Sequence, residues 1–219
     1  MIISRGRRYI FVHIPKTGGT AMSLALEGRA MADDILIGDT PKAKRRRHRL
    51  KGAQASGRLW KHSRLSDIHG LVAQAEIETF FTFTLVRNPW DRVVSYYHWL
   101  RMQDFDHQAV TLAGKLDFSG FLNHPHTRLS LGAESYGSYM RDFGGTERCR
   151  AFLRLEHLVT DLAPLEAHLG FALAELPRAN GSDRRPDYRD YYSPEDADLV
   201  GRLCAQDIAR FGYSFDDPR

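Results

Sequence analysis

Three short apolar runs stand out along the chain, and each predicts a β-strand. Residues 9–14 (YIFVHI) combine β-branched and aromatic side chains in a pattern typical of a buried strand. Residues 79–87 (TFFTFTLVR) carry the strongest strand signal of the chain for the same reason. Residues 150–156 (RAFLRLE) predict a third strand, which leads into a helix that extends to Leu169.

The clearest helical pattern follows the second of these strands. Within residues 88–102 (NPWDRVVSYYHWLRM), Asn88 can cap a helix, Pro89 suits its first turn and Asp91 complements its dipole. An apolar stripe recurs at helical spacing, at Trp90, Val93, Val94, Tyr97 and Leu100. The segment is therefore predicted to be a helix with one buried face.

Weaker patterns predict two further helices. Residues 20–30 (TAMSLALEGRA) are predicted to be helical, with Thr20 as the N-cap and with Leu24 and Ala25 facing the core. Residues 63–75 (SRLSDIHGLVAQA) are predicted to form a helix that begins at the first serine.

The last predicted helix has well-marked ends. Within SPEDADLVGRLCAQDIARFG, Ser193 caps the helix, Pro194 opens it and Gly212 follows its end. The middle of the chain, residues 104–147, shows only one short helical pattern, DFSGFLNH.

Strands that alternate with helices predict an α/β fold with a central parallel β-sheet flanked by helices. A length of 219 residues fits one domain over 1–219, and 42% hydrophobic residues suffice for a core. No segment is apolar for long enough to span a bilayer, and the N-terminal sequence is a poor signal peptide, so cytoplasmic residence is expected. Cys149 and Cys204 predict neither a disulfide framework nor a zinc site.

Positive charge is concentrated in one segment. The net charge is +4, yet KAKRRRHRLK (42–51) holds seven Lys and Arg and no acid, so the rest of the chain sums to 4 − 7 = −3. Because like charges repel, residues 38–58 are predicted to form an irregular, solvated basic loop. Binding of an anionic acceptor or partner is the second interpretation. Nucleic-acid binding is the third and is not expected, since aromatic interleaving and docking motifs are missing.

The loop after the first strand has the composition of an anion site. In HIPKTGGT, Lys16 supplies a charge, Thr17 and Thr20 supply hydroxyls, and Gly18 and Gly19 allow close backbone approach. The following helix adds N-terminal N–H groups and its dipole. These features favour a phosphate over a plain strand–helix connection. The Walker order G-x-x-x-x-G-K-[ST] and the G-x-G-x-x-G fingerprint are absent from the sequence.

A second candidate anion site follows the second strand. Arg87 ends that strand, and Ser95 lies eight residues on, away from the apolar stripe. Lys16 and Arg87 both follow carboxyl ends of predicted parallel strands, where such sheets bind ligands. An Arg87–Asp91 pair with a solvated Ser95 is the purely structural alternative. The first loop favours a second phosphate, since Arg binds phosphate oxygens bidentately. Two phosphates indicate a nucleotide phosphorylated at both ends.

At these motifs the sequence resembles the PAPS-dependent sulfotransferases, especially the branch of carbohydrate and heparan sulfate O-sulfotransferases. HIPKTGGT resembles that family's 5′-phosphosulfate loop, and VRNPWDRVVSYYHW resembles its 3′-phosphate motif. KHSRL (61–65) resembles the segment that carries its general base. The resemblance implies a P-loop-like sulfotransferase fold and the cofactor 3′-phosphoadenosine 5′-phosphosulfate (PAPS), without a metal. It also implies an acceptor hydroxyl, here one on a carbohydrate.

The resemblance also implies roles for single residues. Lys16 binds the 5′-phosphate and stabilises charge on the bridging oxygen. The positions that follow it line the same phosphate: Thr17, Gly18, Gly19, Thr20 and Ala21. Arg87 and Ser95 hold the 3′-phosphate, and either Arg184 or Arg185 closes over the nucleotide. His62, which precedes a predicted helix, is the general base.

Other residues and functions are weighed against this assignment. His13 lies within a strand and Glu156 ends one, so both are interpreted as structural. His124 and His126 form an H-x-H pair without further ligands, so no metal site is expected. The alternative functions are a P-loop-like kinase, which lacks the Walker order, and a non-catalytic protein that binds anions or nucleic acid. The sequence predicts neither the identity of the acceptor nor the oligomeric state.

Overall fold

The computed structural model describes residues 1–177 and 184–217. The chain divides into two compact units. The sheet unit comprises residues 1–86 and 136–180, and the helical unit comprises residues 87–135 and 181–219. The expectation of one domain over the whole chain stays a prediction.

One mixed β-sheet organises the sheet unit. Its strands are β1 (Ile2–Ser4), β2 (Tyr9–Val12), β3 (Ile35–Leu36), β4 (Phe81–Val86) and β5 (Ala151–Arg154). They lie in the order β3-β1-β2-β4-β5, where β2, β4 and β5 are parallel and β1 pairs antiparallel with both β2 and β3. The predicted parallel sheet is thus confirmed, while the two antiparallel strands were missed. With three and two residues, β1 and β3 are too short to show a periodic pattern.

Helices flank this sheet and build the helical unit. In chain order they are α1 (Gly19–Gly28), α2 (Pro41–Arg46), α3 (Gln74–Thr79), α4 (Pro89–Leu100), α5 (Gln108–Lys115), α6 (Phe118–Asn123), α7 (Pro125–Ala133), α8 (Tyr136–Tyr139), α9 (Leu158–Asp161), α10 (Ala163–Leu169), α11 (Pro194–Leu203) and α12 (Ala205–Phe211). Helices α4–α7, α11 and α12 belong to the helical unit. Within the described ranges, every helix is too short or too polar to cross a bilayer.

The main core of the sheet unit forms between the sheet and α1. Phe11 of β2 and Phe83 of β4 stack with ring centroids 5.1 Å apart, and both are fully buried. Met22 and Leu26, one turn apart on α1, belong to the same cluster. Since β2 and β4 are parallel, their carboxyl ends lie at one edge of the sheet. The loop that contains Lys16 leaves the sheet at this edge.

Helix α1 begins earlier than predicted and buries a different face. Its N-cap is Gly18 in the left-handed conformation (φ 88°), while Thr20 lies inside the first turn. Its buried residues are Gly19, Met22, Ser23, Leu26 and Glu27. Leu24 and Ala25, which were predicted to face the core, are only half-buried. Met22 and Leu26 are four residues apart, so both lie on the face of α1 that packs in the core cluster.

Residues 41–50 are helical, which corrects the prediction of an irregular loop over 38–58 for that part, while residues 38–40 and 51–58 are irregular as predicted. Thr40 caps α2, because its side chain accepts a hydrogen bond from the N–H of Ala43 (3.1 Å). A 3₁₀ turn over Arg47–Leu50 continues the helix. Three basic side chains donate to backbone carbonyls at and beyond the C-terminal end of α1: Lys42 to Glu27, Arg46 to Met31 and Arg49 to Ala32. Carbonyl groups at a helix end carry partial negative charge, which offsets the repulsion among the cations.

The predicted helix over 63–75 is absent, apart from a 3₁₀ turn and the start of α3. The Ser63 hydroxyl does not cap a helix but donates to the carbonyl of Arg58 (2.8 Å). The N–H of Leu65 donates to the carbonyl of Tyr139 (2.9 Å), far away in the sequence. These bonds replace helical ones, so the local apolar pattern was a misleading signal.

Helix α4 confirms the strongest helical prediction. The Asn88 side chain accepts from the N–H of Trp90 (3.1 Å), and Pro89 occupies the first turn. The predicted stripe is buried at Trp90, Val93, Val94, Tyr97 and Leu100. Helix α6 covers the short pattern predicted in the middle of the chain.

The predicted C-terminal helix is two helices, α11 and α12. The Ser193 side chain accepts from the N–H of Asp196 (3.1 Å), and Gly212 ends α12 with φ 68°, as the capping signals predicted. Between the helices, Cys204 has φ −107° and ψ 17°, which interrupts the helical backbone. Burial raises the pKa of the Cys204 thiol to about 11.

Candidate functional site

The loop after β2 has an unusual backbone. Lys16 has φ 66° and Gly18 has φ 88°, and a left-handed conformation is uncommon for a residue that carries a side chain. Helix α1 makes its first hydrogen bond from the N–H of Met22 to the carbonyl of Gly18 (3.3 Å). The N–H groups of residues 19–21 precede that bond and lie at the helix N-terminus. These N–H groups form an arrangement that can bind an anion, and Lys16 precedes them in the same loop.

The two threonines of the loop differ in their surroundings. Thr17 is fully buried, and its hydroxyl donates to the carbonyl of Ile14 (3.0 Å). This hydroxyl therefore closes the turn after β2 instead of facing outward, which corrects the expectation from the sequence. Thr20 is half-buried in the first turn of α1.

Both glycines of the loop are held by close packing. A Cβ atom on Gly19 would lie 2.0 Å from Cδ2 of the His13 ring, and one on Gly18 would lie 2.9 Å from Leu155 Cδ1. Gly18 also needs its positive φ, which disfavours any side chain. The packing of the loop therefore requires glycine at both positions, independently of what the loop binds.

His62 is anchored next to this loop. Its Nδ1 atom lies 2.8 Å from the carbonyl oxygen of His13, and the two imidazole rings meet edge-on with centroids 4.6 Å apart. The Trp60 ring contacts the other side of His62 at 5.0 Å. A carbonyl can only accept, so Nδ1 carries the proton and the neutral ring has its lone pair on Nε2. That is the tautomer that a general base requires.

His13 has a structural environment, as predicted. It is 7% exposed, and burial holds its pKa well below 6.5, with smaller contributions from neighbouring ionisable groups, of which the His62 imidazole is the first. A neutral ring packs against Gly19 without adding a buried charge next to the loop. His13 therefore positions both the loop and His62.

The helical unit contains a cluster of two arginines on one carboxylate. Arg87 Nε and Nη2 donate to Asp91 Oδ2 at 2.9 and 2.6 Å, and Arg184 Nη2 donates to Asp91 Oδ1 at 2.6 Å. The three side chains are 12%, 7% and 8% exposed for Arg87, Asp91 and Arg184 respectively. Burial alone would raise the pKa of Asp91, but the two guanidinium groups hold that pKa below its ordinary value.

Ser95 lies on the same face of α4 as Asp91, because the two are four residues apart on the helix. Arg87 precedes the N-cap Asn88 and reaches this face through its ion pair with Asp91. Ser95 is 7% exposed, so the solvated Ser95 of the purely structural alternative is not observed. The Arg87–Asp91 ion pair that the sequence offered as an alternative does form. Arg184 also binds Asp91, which the sequence did not reveal.

The two candidate arginines of the C-terminal loop have different partners. Arg184 joins Asp91, whereas Arg185 lies over the Tyr191 ring at 5.6 Å, and its Nη1 donates to the Asp190 carbonyl (3.1 Å). The sequence left the two open because they are adjacent. Of the two arginines, Arg184 is the one whose side chain is buried to about the same degree as that of Arg87.

The remaining histidine pair has a structural role. The Nδ1 atom of His124 accepts from the N–H of His126 (3.2 Å) and so caps α7. Over the described residues, no group of three or more His, Cys, Asp or Glu side chains could hold a metal ion.

Sequence reasoning missed one role of Asp91 and the role of Trp60. Asp91 was considered only as a partner of Arg87, but it also binds Arg184. Trp60 packs on His62, and only its adjacency to the histidine segment pointed to it.

Comparisons with known proteins bear on the fold and the family. A mouse sulfotransferase, SULT7A1, crystallised in a complex with PAP, has a similar fold with a TM-score of 0.53. The two are 16% identical, and the match covers 91% of this chain and 82% of the mouse chain. A search of curated protein sequences finds no significant match. The family model described as "Sulfotransferase family" matches residues 1–130, which include the loop after β2, His62 and all of α4. The chain therefore belongs to the sulfotransferase family, as the resemblance of its two phosphate motifs to PAPS-dependent sulfotransferases predicted.

Proposed function

We propose that this sulfotransferase moves a sulfuryl group from PAPS to a hydroxyl of a carbohydrate acceptor. Family membership supports the reaction, and the mouse sulfotransferase of similar fold was crystallised with PAP, 3′-phosphoadenosine 5′-phosphate. The carbohydrate acceptor rests on the sequence resemblance alone. The expected cytoplasmic location stays a prediction.

The position of His62 is the observation that carries the proposal. The His62 ring donates to the carbonyl of His13. His13 lies three residues before Lys16, where the chain leaves β2. A base with its lone pair on Nε2 and a cation in an anion-binding loop are therefore both at the carboxyl end of β2. Transfer to a hydroxyl needs these two groups close together.

The loop suits the 5′ end of the donor. Its contributors are the Lys16 ammonium and the N–H groups of residues 17–21, and the sequence has no acid between Val12 and Leu26. The donor, when bound, supplies the sulfuryl group. Lys16 stabilises the negative charge that grows on the leaving oxygen, and His62 takes the acceptor's proton at Nε2. Thr17 contributes its N–H, because its hydroxyl closes the turn.

The arginine cluster suits the 3′-phosphate. Arg87 and Arg184 bring two guanidinium groups to one carboxylate, so their forks are already oriented for an acidic group. Asp91 compensates their charge while they are buried, and Ser95 adds a hydroxyl on the same helix face. We assign the closing role to Arg184 instead of Arg185, because Arg185 is held by Tyr191 and Asp190.

Donor binding and transfer test the proposal separately. We expect PAP to raise the melting temperature more than ATP does, and labelled sulfate from PAPS to appear on at least one sugar of an acceptor panel. A similar response to both nucleotides, or a strict Mg²⁺ requirement with ATP as donor, would support the P-loop-like kinase.

The His62→Ala variant tests the base. We expect a loss of about 10²–10⁴-fold in kcat, with the PAP-induced rise in melting temperature unchanged. His48→Ala is the matched control, because His48 is an exposed histidine of the same unit. If His62→Ala also abolished PAP binding, His62 would belong to the nucleotide site.

A further inference from the structure

The basic sequence KAKRRRHRLK has two sides with different surroundings. Lys42, Arg46 and Arg49 donate to backbone carbonyls at and beyond the end of α1, which places all three on one side. Lys44 and Lys51 lie on the other side, because each is two residues, about half a helical turn, from an anchored position. Both are exposed, and within the described residues neither side chain makes a hydrogen bond or an ion pair. The segment is therefore fixed by one side and leaves positive charge in solvent on the other.

Three arginines extend this exposed charge. Arg45 and Arg58 are exposed, and the side chain of Arg47 is 66% exposed. Arg47 and Arg58 line one cavity of about 510 Å³. Asp39, an acid of the same cavity, lies 2.9 Å from Lys61 Nζ but 3.9 Å from Arg47 Nη2, so Lys61 is its closer partner. The basic surface comprises these three arginines and the two exposed lysines: Lys44, Arg45, Arg47, Lys51 and Arg58.

Two large apolar side chains are exposed at the border of the basic surface. Trp60 is 41% exposed, lines the same cavity as Arg47, and has the Arg58 guanidinium over its ring at 5.4 Å. Met31 is 37% exposed, and its carbonyl accepts from Arg46 Nη1 at 2.8 Å. The surface thus combines several exposed cations with two separate apolar groups.

This combination is typical of a contact with an anionic lipid bilayer. Lys and Arg are attracted by anionic headgroups, and the amphipathic Trp ring is stable at the level of the headgroups. A specific protein–protein interface needs a buried apolar core, for which two separate side chains are too few. Nucleic acid is a poorer fit, because aromatic side chains do not alternate with the cations of the segment.

We propose that the basic surface docks the protein on an anionic phospholipid bilayer, as a peripheral contact with the headgroups. Because three cations already hold the segment against backbone carbonyls, docking costs little conformational entropy. The Trp60 ring contacts the His62 ring at 5.0 Å, so the docked protein has its candidate base close to the bilayer surface. This inference goes beyond the proposed function and does not depend on it.

Vesicle flotation tests the docking directly. The full chain is mixed with vesicles of phosphatidylcholine, either alone or with about one-third phosphatidylglycerol, which is anionic. We expect binding to the anionic vesicles only. We also expect that binding to be lost at about 1 M salt, where the screening length is about 3 Å. Equal binding to both kinds of vesicle, or binding that persists at about 1 M salt, would overturn the proposal.

Charge variants then locate the contact. Each cation near an anionic bilayer strengthens binding by about fivefold, so Lys44→Gln/Lys51→Gln should weaken vesicle binding by about 30-fold with an unchanged melting temperature. Arg141→Gln/Arg150→Gln is the matched control, because it removes two exposed cations of the same unit. These two belong to the segment that leads into β5, at the opposite edge of the sheet from β3. An equal loss of binding in the control would show that net charge alone matters and would overturn the assigned surface.

Two further measurements separate a bilayer from other anionic partners. Trp60→Ser should weaken binding to the anionic vesicles by at least about threefold, because the ring no longer leaves water at the headgroups. Unchanged binding of this variant would overturn the assigned contact. A double-stranded oligonucleotide and polyglutamate serve as competitors that represent nucleic acid and an acidic protein. We expect neither to release the protein from the vesicles at an equal concentration of negative charge, and release by either would overturn the proposal in favour of that partner.

Discussion

Replacing Gly19 with alanine tests how the loop and the candidate base are built together. The new Cβ would lie 2.0 Å from Cδ2 and 2.4 Å from Nε2 of the His13 ring. Ordinary contact begins at 3.4 Å, so the ring or the loop must move by 3.4 − 2.0 = 1.4 Å to reach it. His13 is 7% exposed and lies against the rings of Phe11 and His62, which leaves it little room.

The energetic balance favours destabilisation. Overpacking of this kind costs about 1–3 kcal/mol, whereas exchange of glycine for alanine in a helix gains up to about 1 kcal/mol. We expect a net loss of about 1–2 kcal/mol in the free energy of unfolding, measured with urea. Since the His13 carbonyl holds the His62 ring, kcat should fall as well.

Two comparisons make the Gly19→Ala experiment specific. Gly28→Ala is the matched control, because it lies on the same helix and its Cβ would have no neighbour within 4 Å. This control should be neutral or slightly stabilising. His13→Ala in the Gly19→Ala background should recover at least about 1 kcal/mol by removing the clashing ring. If Gly19→Ala were as stable and active as Gly28→Ala, the packing argument would be wrong.

Three further predictions follow from buried polar groups. Asp91→Asn leaves Arg87 and Arg184 without their carboxylate, so it should lower the free energy of unfolding in urea by about 3 kcal/mol and reduce the PAP-induced rise in melting temperature. An unchanged free energy of unfolding together with an unchanged PAP-induced rise would contradict the positioning role of Asp91. Thr17→Val removes a buried donor from a carbonyl, so it should cost about 1–3 kcal/mol in the same assay, and no change would show that the turn does not need that bond. His13 has a folded pKa well below 6.5, so below about pH 6.5 the unfolded chain binds a proton that the folded chain does not. Stability should therefore fall with falling pH by up to about 1.4 kcal/mol per unit, and His13→Gln should flatten this slope in unfolding measured at pH 5, 6 and 7.5. An equal dependence of stability on pH in the wild-type and His13→Gln proteins would contradict this prediction.

Some local patterns misled the sequence-based prediction. The apolar spacing over 63–75 indicated a helix, but Leu65 binds the carbonyl of Tyr139, which no local pattern reveals. The basic run indicated an irregular loop, but carbonyls near the end of α1 bind three of its cations. In both segments, partners that are distant in sequence outweighed the local preference.

The sequence by itself determined the elements whose signals are local. Strands β2 and β4, the loop of Lys16 and the capped helix α4 follow from apolar runs, glycines and capping residues that act within a few positions. The tertiary structure alone decided which nitrogen of His62 is protonated and which arginine joins Arg87. The first depends on the carbonyl of His13, 49 residues away, and the second on Asp91, 93 residues from Arg184. Hydrogen bonds depend on distance in space, and only the folded chain brings such groups within reach.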